Sequence, residues 1–226
     1  MLDKFFSLFY NVLNYILIWF TVLMETDMTA TTIKKTTHLI DSIIKTADNR
    51  FKQYGYKKTT VNEIAADLGI SKKTLYEVFS SKEEIIRETA WRETVEVMRL
   101  FSDTTPRKIE VDRLLLALCR FIFTDRIKRG KKGLFWGLYS GDTVIREAYL
   151  RALRRVVAAL YEDGARRGLF KQANEEFAAV IIVGLITSAT DFFPLVEQPV
   201  RIFDHALRMI ADAIAQKDRI DFDAMG

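Results

Sequence analysis

Through most of the chain the apolar residues recur with the 3.6-residue period of amphipathic helices. Ile33, Ile40, Ile44, Ala47, Phe51 and Tyr54 step by seven, four, three, four and three, which predicts a helix over residues 32–54 ended by Gly55. Residues 59–84, TTVNEIAADLGISKKTLYEVFSSKEE, then place four start or stop signals close together. Thr60 and Glu63 have capping-box spacing, so a short helix begins there with Ile64, Ala65 and Leu68 on one face. Gly69 stops it, because glycine takes the left-handed conformation of a tight turn without a Cβ clash. Ser71 caps the next helix, whose apolar stripe is Leu75, Val78 and Phe79, and Ser81 with Glu84 forms a second box opening a third.

Further along, Ile85, Ile86, Ala90, Val97, Met98 and Phe101 predict a helix from Ser81 to Phe101, broken by SDTTP at 102–106. A helix at about 107–127 is apolar on most sides, which suits the buried centre of a second domain. LFWGLYSGD at 134–142 reads as a kinked helix beside a cavity, and 143–163 as an amphipathic helix. Asn174 starts a helix that is apolar almost all round, and Pro199 opens a last one to about Lys217. The pattern predicts an all-α fold. Its last two helices are the dimerisation candidates, since a helix apolar all round needs cover on more than one side.

Charge sharpens this. The chain of 226 residues carries a formal net charge of +4. Residues 29–82 hold ten Lys/Arg against five acids, +5, and everything else sums to −1. The positive excess therefore sits where phosphate attraction would need it. The single cysteine, Cys119, excludes an internal disulfide and falls in an apolar helix where a thiol keeps a high pKa. No phosphate loop, HExxH or nucleophile elbow is present, so neither a catalytic site, a metal nor a cofactor is expected.

The face of the second short helix opposite its apolar stripe carries Lys72, Lys73, Thr74 and Tyr76, which can donate to phosphates or base edges. From the residues alone, a helix-turn-helix that reads DNA competes with a helical hairpin whose lysines are merely solvated. Small residues at the crossing and hydroxyl and basic groups crowded at one N-terminus favour the former.

Thr60, Ile64, Ala65, Gly69, Ile70, Ser71, Thr74, Leu75, Tyr76, Phe79, Ser81, Lys82, Glu83 and Ile85 resemble the DNA-binding motif of TetR/AcrR-family transcriptional repressors. The similarity is sharp over residues 33–90. Lys73 departs from it, standing where many members have glycine. The resemblance implies a three-helix DNA-binding domain, 29–82, joined to a larger helical effector-binding and dimerisation domain, 83–226. It implies a cytoplasmic homodimer on a pseudo-palindromic double-stranded operator, released by a small apolar or aromatic effector. Matching positions assign Thr60, Tyr76 and Lys82 to phosphates and place Lys72, Lys73 and Thr74 nearest the bases, with Ser71 capping their helix; Lys58 joins the phosphate set on charge. On that assignment Lys82→Ala should lower the salt slope of binding by about one unit. Trp91, Met98, Phe121, Trp136, Tyr139, Tyr149 and Phe177 are candidate effector-lining residues, though aromatic and Met positions at helical spacing are more often core.

Residues 5–24, FFSLFYNVLNYILIWFTVLM, carry no charge and are long enough to cross a bilayer. A membrane anchor, a secretory signal and a mis-assigned start ahead of Met24 or Met28 all compete for this 1–28 extension. A mis-assigned start or a dispensable extension is preferred, because the resemblance points to soluble proteins; a membrane-tethered regulator is the alternative.

Overall fold

The computed structural model describes residues 30–105, 110–130, 136–192 and 197–216. The apolar stretch 5–24 lies outside them, and among the described residues no helix is long and apolar enough to cross a membrane. The described residues form eight α-helices, in order α1 Ala30–Tyr54, α2 Val61–Leu68, α3 Lys72–Val78, α4 Lys82–Thr104, α5 Val111–Arg129, α6 Thr143–Arg166, α7 Glu175–Phe192 and α8 Pro199–Ile214. A 3-10 turn, Trp136–Tyr139, stands between α5 and α6. The chain divides into two compact units, one built on residues up to Lys82 and the other on Glu83–Thr104 and Ile109 onward.

In the first unit α1 buries Ile40, Ile43, Ile44, Ala47 and Phe51, α2 buries Val61, Ile64 and Ala65, and α3 buries Leu75. The predicted stripe of α1 thus holds from Ile40 to Phe51, the side chain of Ile33 lying outside the described ones, and then fails: Tyr54, its last member, is half exposed at the helix end. A helix's final turn no longer faces what its middle packs against, so periodicity overshoots there.

The second unit's core is drawn from all its helices. Phe123 of α5 stacks on Phe203 of α8 with ring centroids 4.0 Å apart, and Tyr161 of α6 stacks on Phe170 at 5.2 Å. Several helix boundaries of this unit moved somewhat from their sequence expectation. α4 runs on to Thr104 through the polar SDT, α5 begins only at Val111, α6 continues past Gly164 to Arg166, and α8 stops at Ile214. Gly164 lies within the helix, where the absence of a Cβ leaves room for the Phe170 ring. The segment expected to be a kinked helix is the short 3-10 turn in its described part.

After α6 the chain turns at Gly168 and fastens onto the end of α8. The Lys171 amide donates to the Ile214 carbonyl at 2.7 Å and the Gln216 amide to the Leu169 carbonyl at 3.0 Å. The Lys171 ammonium adds a bond to the Ala213 carbonyl at 2.7 Å, satisfying helix-end acceptors that would otherwise need water. A narrow apolar cleft, large enough for no more than about a water molecule, lies between Leu115, Leu116 and Cys119 of α5, Ile182 and Ile186 of α7, and Leu207 of α8. Burial there pushes the Cys119 thiol up to about 12, so it is inert at neutral pH.

Candidate nucleic-acid interface

The α2–α3 corner is built by its own short-range bonds. The Thr60 hydroxyl accepts from the Glu63 amide at 3.2 Å, and the Glu63 carboxylate accepts from the Thr60 amide at 2.7 Å and its hydroxyl at 2.8 Å. This is the reciprocal capping box that the T-x-x-E spacing predicted. Gly69 takes φ +65°, letting its amide return to Ala66 at 3.1 Å and the Ile70 amide to Ala65 at 3.0 Å. Ser71 caps α3, its hydroxyl accepting from the Thr74 amide at 3.0 Å and sharing a hydrogen bond with the Thr74 hydroxyl at 2.9 Å.

Leu75 is fully buried, which turns the other side of α3 outward. Lys72 and Lys73 are exposed there beside Tyr76, which is 43% exposed, and the Lys72 ammonium lies 5.6 Å from the Tyr76 ring centre. Lys58 is exposed in the turn before α2.

The eight residues picked from the sequence therefore fall into two groups. Lys58, Lys72, Lys73 and Tyr76 present exposed donors. The hydroxyls of Thr60, Ser71 and Thr74 are already engaged in caps, so these residues shape the surface first. Lys82 is engaged most of all. Its ammonium donates to the carbonyls of Tyr56 at 2.8 Å and Thr59 at 2.9 Å and lies 3.9 Å from the centre of the Tyr56 ring. Two of its three N–H groups thus bind the loop that leads into α2.

Two further residues escaped the sequence reading. Tyr56 supplies the ring under Lys82. Arg50 of α1 makes a two-pronged pair with Asp67 of α2, at 2.5 and 2.8 Å, and reaches Glu63 at 3.5 Å. No local pattern announces a pair separated by 17 residues. The Arg50 hydrogen bond holds the Asp67 carboxyl below the usual carboxylate range, and the Thr60 hydroxyl does the same for Glu63. The sign follows from linkage: Asp67's contribution is present above its unfolded pKa and is lost as pH falls through the lower folded one. At neutral pH the wild type is expected to melt above Asp67→Asn, the gap closing below about pH 4, as thermal unfolding across pH will check.

In the second unit the candidate effector residues are only partly gathered. Trp136 and Tyr149 meet edge to face at 5.5 Å, 66° between planes, around Glu93 of α4. Phe121 packs on Phe101 at 5.3 Å, Tyr139 lies under the Arg126 guanidinium at 4.1 Å, and Trp91 and Met98 are buried in α4. Phe177 stands apart. It is 67% exposed on α7, in one face with Val180 and Ile181. Glu93 was missed, since an acid at one helical position carries no signal of two donors arriving from residues 43 and 56 positions away.

Comparison with known proteins agrees with this geometry. The sequence profile of bacterial regulatory proteins of the tetR family matches residues 43–89. The chain is 27% identical over 150 residues to the uncharacterized HTH-type transcriptional regulator YhgD of Bacillus subtilis strain 168, covering 63% of this chain and 78% of that one. Among solved structures, RolR in complex with resorcinol superposes with a TM-score of 0.56 at 16% identity, over 78% of this chain and 89% of that one. A protein described as a tetR family transcription regulator from Shewanella sp. PV-4 gives 0.50 at 21% identity, over 78% and 97%. These two likenesses concern the fold.

Proposed function

Through residues 43–89 the chain belongs to the tetR family of bacterial regulatory proteins, and from that premise we propose that it acts as a homodimeric repressor released from its operator by a small effector. One observation carries the DNA half of this reading: α3, capped by Ser71 and anchored by Leu75, turns Lys72, Lys73 and Tyr76 outward as one exposed face. In a two-fold dimer, two such helices enter successive major grooves about 34–36 Å apart. Lys72 and Lys73 reach base edges and Lys58 and Tyr76 the phosphates, while Thr60, Ser71, Thr74 and Lys82 keep the corner in shape.

α7 and α8 supply the dimer contact, because both leave apolar side chains in solvent. The effector binds among the helices of residues 83–190 and favours a dimer whose recognition helices are wrongly spaced. Effector and operator then oppose each other by one coupling free energy, typically about 1–3 kcal/mol. RolR binds resorcinol, and a compound of that size suits the present reading.

Selection of duplex fragments from a random pool by the purified full-length protein tests the proposal. Enriched sequences are expected to share an inverted repeat, its half-sites one or more helical turns apart. Enrichment of nothing over random competitor at moderate ionic strength would sink it.

A further inference from the structure

We infer that Arg50 is a positioning residue for operator binding that acts through charge: it offsets the two carboxylates that α2 would otherwise carry bare to the DNA backbone. The inference rests on the DNA-binding reading above and adds to it a residue of α1 that works through α2.

α2 has two charged residues among its eight, Glu63 and Asp67, and both are acids. They stand four apart, hence on one face of the helix. Hydrogen bonds hold both carboxyls below the usual carboxylate range, from Arg50 to Asp67 and from Thr60 to Glu63, so both are ionised at neutral pH. The first helix of a helix-turn-helix crosses the phosphate backbone. Bare negative charges there would oppose the lysines of α3 and of the turn before α2, which attract the same phosphates.

Arg50 answers both acids at once. Its guanidinium gives Asp67 two N–H bonds, at 2.5 and 2.8 Å, and its third nitrogen stands 3.5 Å from a Glu63 oxygen. All three nitrogens are thus turned to α2, a fork that a lysine's single ammonium does not reproduce. The Tyr54 ring centre lies 5.8 Å from the guanidinium carbon, which gives the half-exposed end of the α1 stripe a contact. The arginine side chain is 18% exposed, against 44% for Glu63 and 42% for Asp67. The acids are therefore the outer partners, the ones an approaching duplex meets. Among the described residues no other cation pairs with either.

One cation against two acids sums to −1. Arg50→Met takes that sum to −2, Asp67→Asn takes it to 0, and the double variant restores −1. A mere tether between α1 and α2 ranks the variants otherwise, since all three break the pair and all three should bind worse than the wild type.

Operator titrations of the full-length protein, at about 50 mM salt and well below each melting temperature, separate the two. Asp67→Asn should bind tightest although it melts lower, the wild type and the double variant should agree within about twofold, and Arg50→Met should bind weakest. Each charge step should move affinity by about two- to fivefold, because both protomers contribute. Arg50→Lys keeps the charge and loses the fork, so it should stay within about twofold of the wild type. At about 0.3 M salt all these differences should shrink, since exposed charges are then screened over a few ångströms. Should Arg50→Met fail to fold, Asp67→Asn decides alone. Asp67→Asn binding no tighter than the wild type, or a double variant as weak as Arg50→Met, overturns the inference and leaves Arg50 a tether. A wild type that selects no duplex would remove the DNA-binding reading, and the inference with it.

Discussion

Lys82→Met is expected to cost the DNA-binding unit about 2–3 kcal/mol, because two charge-assisted hydrogen bonds and the contact with the Tyr56 ring disappear together. Methionine keeps the apolar length of the side chain, so the loss isolates the ammonium. The Thr59 carbonyl loses this donor while the Tyr56 carbonyl keeps the Thr59 amide at 3.3 Å, and Thr59 is fully buried, which limits how well water can replace the ammonium. Operator affinity should fall as the α1–α2 loop loosens and α2 loses its fixed start. Its salt slope should change by less than about half a unit, since two N–H groups were never available to a phosphate. Thermal unfolding and operator titrations at several salt concentrations separate the alternatives. A slope lowered by a full unit with unchanged stability would restore the phosphate role that the family resemblance implies.

Lys82 also shows where sequence and structure part company. Caps and turns at Thr60, Gly69 and Ser71 depend on residues three to five apart, and they were legible as written. Most of the buried faces of α1, α2 and α4 followed from periodicity for the same reason: a helix repeats its own environment every 3.6 residues. What a side chain bonds to across 17, 26 or 56 residues has no such repeat. Arg50 with Asp67, Lys82 with Tyr56, and Glu93 with Tyr149 each join elements whose approach is decided by packing elsewhere. Hence the exposed face of α3 was legible in the sequence while the long-range bonds that hold its surroundings were not. The surroundings of the effector candidates were not legible, because an aromatic residue at helical spacing looks alike in a core, beside a carboxylate or on a bare face. Trp91, Trp136 and Phe177 now represent those three situations.

Phe177→Glu combined with Ile181→Glu is expected to convert the protein to monomers and to reduce operator affinity by at least about a hundredfold. α7 lines the apolar cleft with Ile182 and Ile186, yet Phe177 and Ile181 of the same helix are 67% and 56% exposed. α8 repeats the arrangement, with Leu207 turned inward and Met209 73% exposed, Ile202 lying two turns before it. A helix apolar on both sides loses hydrophobic stabilisation unless a second surface covers the outer one, and Gly184 and Ser188, also exposed on α7, permit a close approach. Self-association satisfies this and supplies the second recognition helix that an inverted repeat demands. Two glutamates would have to be desolvated at such a contact, which costs more than the apolar area returns. Each chain should keep its helical content, because neither replaced side chain is part of the monomer's own core. The affinity loss comes from separating two half-sites that a dimer engages at high effective concentration. Light scattering on the purified double variant, followed by operator titration, measures both effects. A dimer that persists with both glutamates in place would mean that α7 and α8 are covered by something other than a second copy of themselves.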